Sequence, residues 1–182
     1  VSLEGKRVAF IVAHEFDEKE FAQPYERLVR EGAHAVVIGV EAEQRLISHH
    51  RQEEVITDIG IDDASADNFD AVVIPGGYSP DKLRLSKGMV DFVRDMYDQG
   101  KLIAAICHAP ALLISADIVR GKTMTSWPSI AIDLANAGAN VIDAEVVIDG
   151  NIVTSRNVSD LPAFMQTVVN ILAGKARMIA AS

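Results

Sequence analysis

Cysteine occurs once in the 182 residues, at position 107, so the chain cannot close an internal disulfide and suits a reducing compartment. Cations are scarce relative to anions. The 17 Lys and Arg stand against 26 Asp and Glu, a formal net charge of −9, which argues against a nucleic-acid surface and favours solubility. No apolar run approaches the ~20 residues of a membrane span. The N-terminal stretch VSLEGKRVAFIVAHEF resembles a secretion signal only superficially. Its apolar core is short, no small-residue cleavage site follows, and Glu15, Asp17 and Glu18 restore charge at once, so a cytoplasmic protein is expected. The GxGxxG and GxxxxGK[ST] fingerprints are absent, which disfavours dinucleotides and nucleoside triphosphates. A flavin phosphate loop would follow the first strand, but HEFDEKE there is acidic and free of glycine. His49-His50 lacks the spaced cysteines or carboxylates of a zinc site. No repeat, low-complexity tract or linker interrupts the sequence, and one domain over residues 1–182 is expected, long enough to bury a full core.

What is present is an alternation of two patterns. Residues 8–13 (VAFIVA), 35–40 (AVVIGV), 71–75 (AVVIP) and 102–106 (LIAAI) are short continuous apolar runs, as expected of strands buried on both faces. Between and after them the spacing predicts helices over 16–30, 86–99, 108–116, 129–137 and 160–173, several closed by a glycine such as Gly32, Gly100 or Gly174. Pro24 predicts a kink or a later start in the first. Residues 122–126 read as a short strand, and 141–155 as a hairpin turning at Asp149-Gly150. Residues 46–61 fit a short hairpin or an irregular excursion. Strands alternating with helices imply an α/β fold: a doubly wound, mostly parallel sheet flanked by helices and joined by right-handed crossovers.

In such sheets ligands bind beyond the carboxyl ends of the strands. There the first strand leads into His14-Glu15-Phe16-Asp17, the third into Gly76-Gly77 and the fourth into Cys107-His108, so a nucleophile, carboxylates and a glycine pair converge on one edge. Cys107 occupies a strand-to-helix turn, the place of a nucleophile elbow, where backbone N–H groups and the helix dipole favour a thiolate. Pro110 fits the first helical turn. The glycines an elbow usually carries two residues either side are Ala105 and Ala109 here. Taken alone, a lone cysteine is more often core packing. The strand-end position and the adjacent His108 reverse that preference. His108 is a general base or orienting group, or else a helix-start histidine bonded to backbone. Glu15 and Asp17 are either solvated loop residues or acids whose pKa, raised beside the sulfur, lets them donate to it. Gly76 and Gly77 serve either a tight turn or an oxyanion hole. Trp127 is a packing or site-rim residue.

The segments VAFIVAHEFDEKEF, FDAVVIPGGYSPDKLR, GKLIAAICHAPALLISADIVRGK, DAEVVIDGNIVTSR and DLPAF together resemble the PfpI family of intracellular cysteine hydrolases and general stress proteins. That family lies within the superfamily of the Parkinsonism-associated deglycase. The resemblance implies a fold similar to class I glutamine amidotransferase domains, flavodoxin-like in its layering. It also implies that Cys107 is the nucleophile and His108 its partner. An acid follows the aromatic residue after the first strand, which places Asp17 near the sulfur, with Glu15 the alternative. Gly76, Gly77 and the His108 backbone match the oxyanion-binding surroundings. A third carboxylate, Asp81, would come from a neighbouring subunit, so a homodimer or higher homo-oligomer is implied. The commoner family motif is CHGP, and Ala109 disfavours any positive φ at its third position.

Three functions fit these residues. The first is a stress-protective enzyme acting on reactive carbonyls such as methylglyoxal, of glutathione-independent glyoxalase or deglycase type, with no metal or cofactor. The second is intracellular peptide hydrolysis through a thioester. The third is a redox sensor or protective binding protein whose Cys107 oxidises to sulfinate. The first is preferred; the expected partner is a small carbonyl substrate or a peptide, with no nucleic acid and no membrane.

Overall fold

The apolar runs form the middle of one seven-stranded sheet in a computed structural model that describes residues 1–181. The chain begins with β1 (Arg7–Ile11), α1 (Glu18–Arg30) and β2 (His34–Gly39). Three short strands follow, β3 (Arg45–Ile47), β4 (Glu54–Ile56) and β5 (Ile59–Gly60). Next come β6 (Ala71–Ile74), α2 (Ser79–Leu83), α3 (Lys87–Asp98), β7 (Leu102–Ile106) and α4 (Pro110–Ser115). The last part contains β8 (Thr123–Met124), α5 (Ala131–Asn136), β9 (Asn140–Val141), β10 (Val147–Asp149), β11 (Ile152–Ser155) and α6 (Leu161–Leu172). The strand order is β10-β11-β7-β6-β1-β2-β5, and every neighbouring pair is parallel except β10 with β11. This is the doubly wound α/β arrangement expected from the sequence.

Alternation along the strands divides the core into two layers. Ala9, Ile11, Val72, Ile74, Ile103 and Ala105 face a layer completed by α3 and α4 through Met89, Phe92, Val93, Met96, Leu112 and Leu113. Val8, Phe10, Ala71, Val73, Leu102 and Ala104 face the opposite layer, covered by α1 and α6 through Leu28, Phe164, Met165 and Val168. Both faces of β6 and β7 are covered, which is why their sequences read as unbroken apolar runs.

Residues 46–61 resolve into the β3–β4 hairpin, with Leu46 opposite Val55, followed by the edge strand β5. The hairpin expected over 141–155 is narrower than that span. Asp149 pairs with Ile152 across the turn, but Val141 belongs to β9, paired in parallel with β8. Helix α1 starts at Glu18 and continues through Pro24 unbroken, and the buried proline ring contributes to its inner face. The five-residue α2, which the periodicity does not signal, is too short to carry a repeating apolar pattern. Among the described residues no helix is long and apolar enough to cross a membrane.

Candidate active site

The chain runs outward from β1 to β2 and β5, then returns to build β6, β7 and β11 on the other side of β1. The crevice at the carboxyl ends of β1 and β6 is therefore a topological switch point, where open α/β sheets bind ligands. The loops after β1 and β6 are tied together there. Phe16 and Gly77 form an isolated antiparallel bridge, Tyr78 N–H donates to the Glu15 carbonyl at 2.9 Å, and Asp17 N–H donates to the Gly76 carbonyl at 3.1 Å.

Cys107 ends β7 with φ 65°, a left-handed conformation that costs a non-glycine residue energy. Its peptide is held on both sides, Cys107 N–H donating to Ser155 carbonyl at 3.1 Å and Trp127 N–H donating to Cys107 carbonyl at 2.9 Å. The side chain is 8% exposed and faces a cavity of about 490 Å³, lined also by Glu20, Gly77, Tyr78, His108, Trp127 and Asn157. The positive φ falls on the cysteine itself. Ala109 has φ −59° and is fully buried, so alanine serves there without backbone strain.

His108 bends back along the chain, and its Nδ1 lies 3.3 Å from Cys107 Sγ. Its ring stacks on Trp127 with centroids 5.9 Å apart, and Nε2 lies 3.5 Å from Ser129 Oγ. Burial lowers the pKa of the imidazole, so it is neutral at pH 7.

The acid beside the sulfur is Glu20, which is neither Asp17 nor Glu15. Glu20 is 1% exposed, accepts the Gly76 N–H at 2.9 Å and shares a hydrogen bond with Cys107. Burial first, and the Asp17 charge second, raise its pKa to about 8, against the lowering effect of the Gly76 and Cys107 hydrogen bonds. Asp17 is the N-cap of α1, its Oδ1 accepting from Lys19 and Glu20 N–H at 3.0 Å each. Its place at the rim of the cavity is that of a neighbouring charge. Glu15, with φ 63°, points away into an ion pair with Lys82 at 3.0 Å, which holds its carboxyl below the usual range. The signal for Glu20 was present in the sequence. Asp17-Glu18-Lys19-Glu20 has capping-box spacing, which makes Asp17 a cap and places Glu20 one turn into the helix.

The glycine pair divides its functions. Gly76 donates its N–H to Glu20, so it is not a free oxyanion donor. A Cβ at Gly76 would meet Glu20 Oε1 and lie 2.7 Å from Cys107 Cβ. The N–H groups of Gly77 and His108 are the ones directed at the sulfur, favouring its charged form. Burial first, and the Glu20 charge second, oppose them and push the thiol up. Asp81 is exposed on α2, does not line the cavity and has no hydrogen-bond or ion-pair partner among the described residues.

His49 and His50, given no role by the sequence, also line the cavity, carried there by the β3–β4 hairpin. His50 Nδ1 pairs with Glu18 at 3.0 Å. Burial raises the Glu18 pKa, but the hydrogen bonds from His50 and neighbours more than reverse this, to about 2. Among the described residues no cluster of three or more His, Cys, Asp or Glu could hold a metal ion.

Known proteins are similar to this chain in sequence and in fold. Deglycase PH1704 of Pyrococcus horikoshii is 43% identical over 166 residues, covering 91% of this chain and 99% of that protein. Protein/nucleic acid deglycase 2 of Escherichia coli is 40% identical over 169 residues, covering 92% of this chain and 98% of that protein. The crystal structure of Drosophila melanogaster DJ-1beta superimposes with a TM-score of 0.87 at 32% identity, covering 96% of this chain and 92% of that one. Residues 6–171 match the model of the DJ-1/PfpI family. With a family model matched over residues 6–171 and a relative 43% identical over 91% of its length, the chain belongs to the DJ-1/PfpI family.

Proposed function

We propose that this chain is a cysteine-dependent enzyme acting on reactive carbonyls and their early adducts, of deglycase or glutathione-independent glyoxalase type. The observation that carries the reading is Cys107 at φ 65° with its sulfur set among the Glu20 carboxyl and the N–H groups of Gly77 and His108. Backbone strain at a buried cysteine persists only where the surroundings impose it, and such strain concentrates at functional sites. The cavity volume lies in the range of small-molecule sites, and the relatives named deglycases support the same class.

Neutral His108 accepts the thiol proton through Nδ1, and the sulfur adds to the aldehyde carbon of methylglyoxal to form a hemithioacetal. One hydrogen then passes from that carbon to the adjacent carbonyl carbon, leaving a lactoyl thioester. Water cleaves the thioester, so one methylglyoxal and one water become one lactic acid and the thiol is regenerated. Glu20 acts as the protonated acid: below about pH 8 it carries no charge against the sulfur and can donate to it. In the same reading Asp81, exposed within its own chain, is the carboxylate that a second copy brings to His108.

Lactate formation from methylglyoxal without glutathione, compared between wild type and Cys107→Ser, tests this. Turnover that disappears with the sulfur is expected. Equal rates in the two proteins, or no turnover in either, would overturn the proposal and direct attention to peptide hydrolysis or peroxide oxidation of Cys107.

A further inference from the structure

His49 Nδ1 is the one buried side-chain nitrogen or oxygen without a hydrogen-bond partner among the described residues. Each such group requires a reason, because an unpaired buried polar atom is costly. The ring is not free to turn toward a better partner. Its main chain is anchored by His49 N–H donating to the Phe16 carbonyl at 2.8 Å. Its faces and edges are clamped between His50, with ring centroids at 4.6 Å, and Tyr78, at 4.8 Å. His50 is itself tethered to the first turn of α1, its N–H donating to Glu18 Oε1 at 2.6 Å. Three separate elements thus hold this one imidazole at the wall of the cavity that contains Cys107.

A buried N–H without an acceptor is rarer and costlier than a bare acceptor nitrogen. The tautomer that suits the site therefore leaves Nδ1 bare and carries its proton on Nε2. That nitrogen also has no partner among the described residues, but it is not sealed from solvent. Tyr78 lies between the two imidazoles, its ring 4.8 Å from His49 and 6.2 Å from His108. The cavity therefore has one histidine beside the sulfur and, across the tyrosine, a second whose ring nitrogens have no hydrogen-bond partner among the described residues.

We propose that His49 is a substrate-contacting residue whose Nε2–H donates to the second oxygen of the substrate, the one on the carbon next to the carbon that Cys107 attacks. This rests on the reading of Cys107 as nucleophile and adds the group that selects a 1,2-dicarbonyl over a simple aldehyde. An imidazole N–H donor in that place also stabilises the enediolate through which hydrogen moves between the two carbons.

The test uses the full chain and bromoacetone, which has the carbon and ketone skeleton of methylglyoxal with bromide on the attacked carbon. The S–C bond forms as C–Br breaks, bromide leaves, and the thiol proton passes to His108 or solvent. Methyl methanethiosulfonate, which modifies the same thiol with loss of methanesulfinate and carries no ketone, is the reference. Relative to that reference, His49→Phe should slow bromoacetone alkylation about tenfold, the scale of one lost hydrogen bond. His49→Gln, whose amide nitrogen reaches the Nε2 position, should restore the rate, whereas His49→Asn should not. In the lactate assay the loss appears in kcat/KM for methylglyoxal. Equal slowing of both reagents, or of neither, overturns the role of His49. A bromoacetone effect in a protein that makes no lactate sustains the oxygen contact and overturns the glyoxalase reading instead.

Discussion

Replacing Glu20 with glutamine should stabilise the protein, and by an amount that depends on pH. The glutamine carbonyl can still accept the Gly76 N–H, and its amide can still donate toward the sulfur, so packing is retained. What disappears is the cost of burying an ionisable acid. The folded carboxyl holds its proton to about pH 8, against an ordinary value of 4.5, so between these values the native state binds more protons than the unfolded chain. The contribution of the Glu20 carboxyl to wild-type stability is therefore fully present below pH 4.5 and is lost as pH rises through 8. At pH 7 the loss is about 3 kcal/mol, from 2.5 pH units at about 1.4 kcal/mol each, and above pH 8 it approaches about 5 kcal/mol. Urea denaturation of wild type and Glu20→Gln at pH 4, 7 and 8.5 measures this directly. The two proteins should nearly coincide at pH 4, and the variant should lead by about 3 kcal/mol at pH 7, or roughly 6–12 °C in Tm for a chain of this size. A stability gap of the same size at pH 4 and pH 7 would refute the argument, because it would show that Glu20 ionises as it does in the unfolded chain. The variant should also lose the inflection near pH 8 that Glu20 ionisation imposes on alkylation of Cys107 by iodoacetamide.

Two further substitutions examine the scaffold. Gly77→Ala places a Cβ at φ 75° against the Glu15 carbonyl, 2.6 Å from Asp17 N and 2.9 Å from the Phe16 carbonyl carbon, all backbone atoms that cannot rotate aside. It should cost about 2–5 kcal/mol in urea denaturation, whereas Gly100→Ala, at φ 70° with open space around it, should cost about 1–2. Equal costs would mean that the packing of the loops against Gly77 matters little. Asp160 accepts from Arg156 N–H, Nε and Nη2 at 2.8–2.9 Å, and although burial raises its carboxyl pKa, these bonds and the Arg156 charge hold it below the usual value. Its contribution is present above about pH 4 and lost as pH falls below that. Asp160→Asn should therefore lower stability by about 2 kcal/mol at pH 7 and flatten the acid limb of the stability curve, an outcome that circular dichroism melts from pH 2 to 7 would reveal.

Strands, helices and the cysteine turn were legible in the sequence because each is a local pattern. The four apolar runs declare burial on two faces, Asp149-Gly150 marks its hairpin, and AAICHAP places a cysteine at a strand end whatever the rest of the chain does. Parallel strands then bring the loops after β1, β6 and β7 to one edge, so the neighbourhood of the site followed as well. Which acid meets the sulfur did not follow, since Asp17, Glu15 and Glu20 lie within six residues and differ only in direction. The helix start at Glu18 turns Asp17 into a cap, Lys82 draws Glu15 outward, and the N–H of Gly76, 56 residues away, receives Glu20. The free donor of His49 was invisible for the same reason. A hydrogen bond left unmade is a property of everything packed around a ring, and two distant segments, at Phe16–Glu18 and at Tyr78, help decide it. The sequence by itself determined the layers and the cysteine turn, because backbone periodicity and turn chemistry act over a few residues. Only the tertiary structure decided the partners of the sulfur, because burial and hydrogen bonding depend on what the fold brings from elsewhere in the chain.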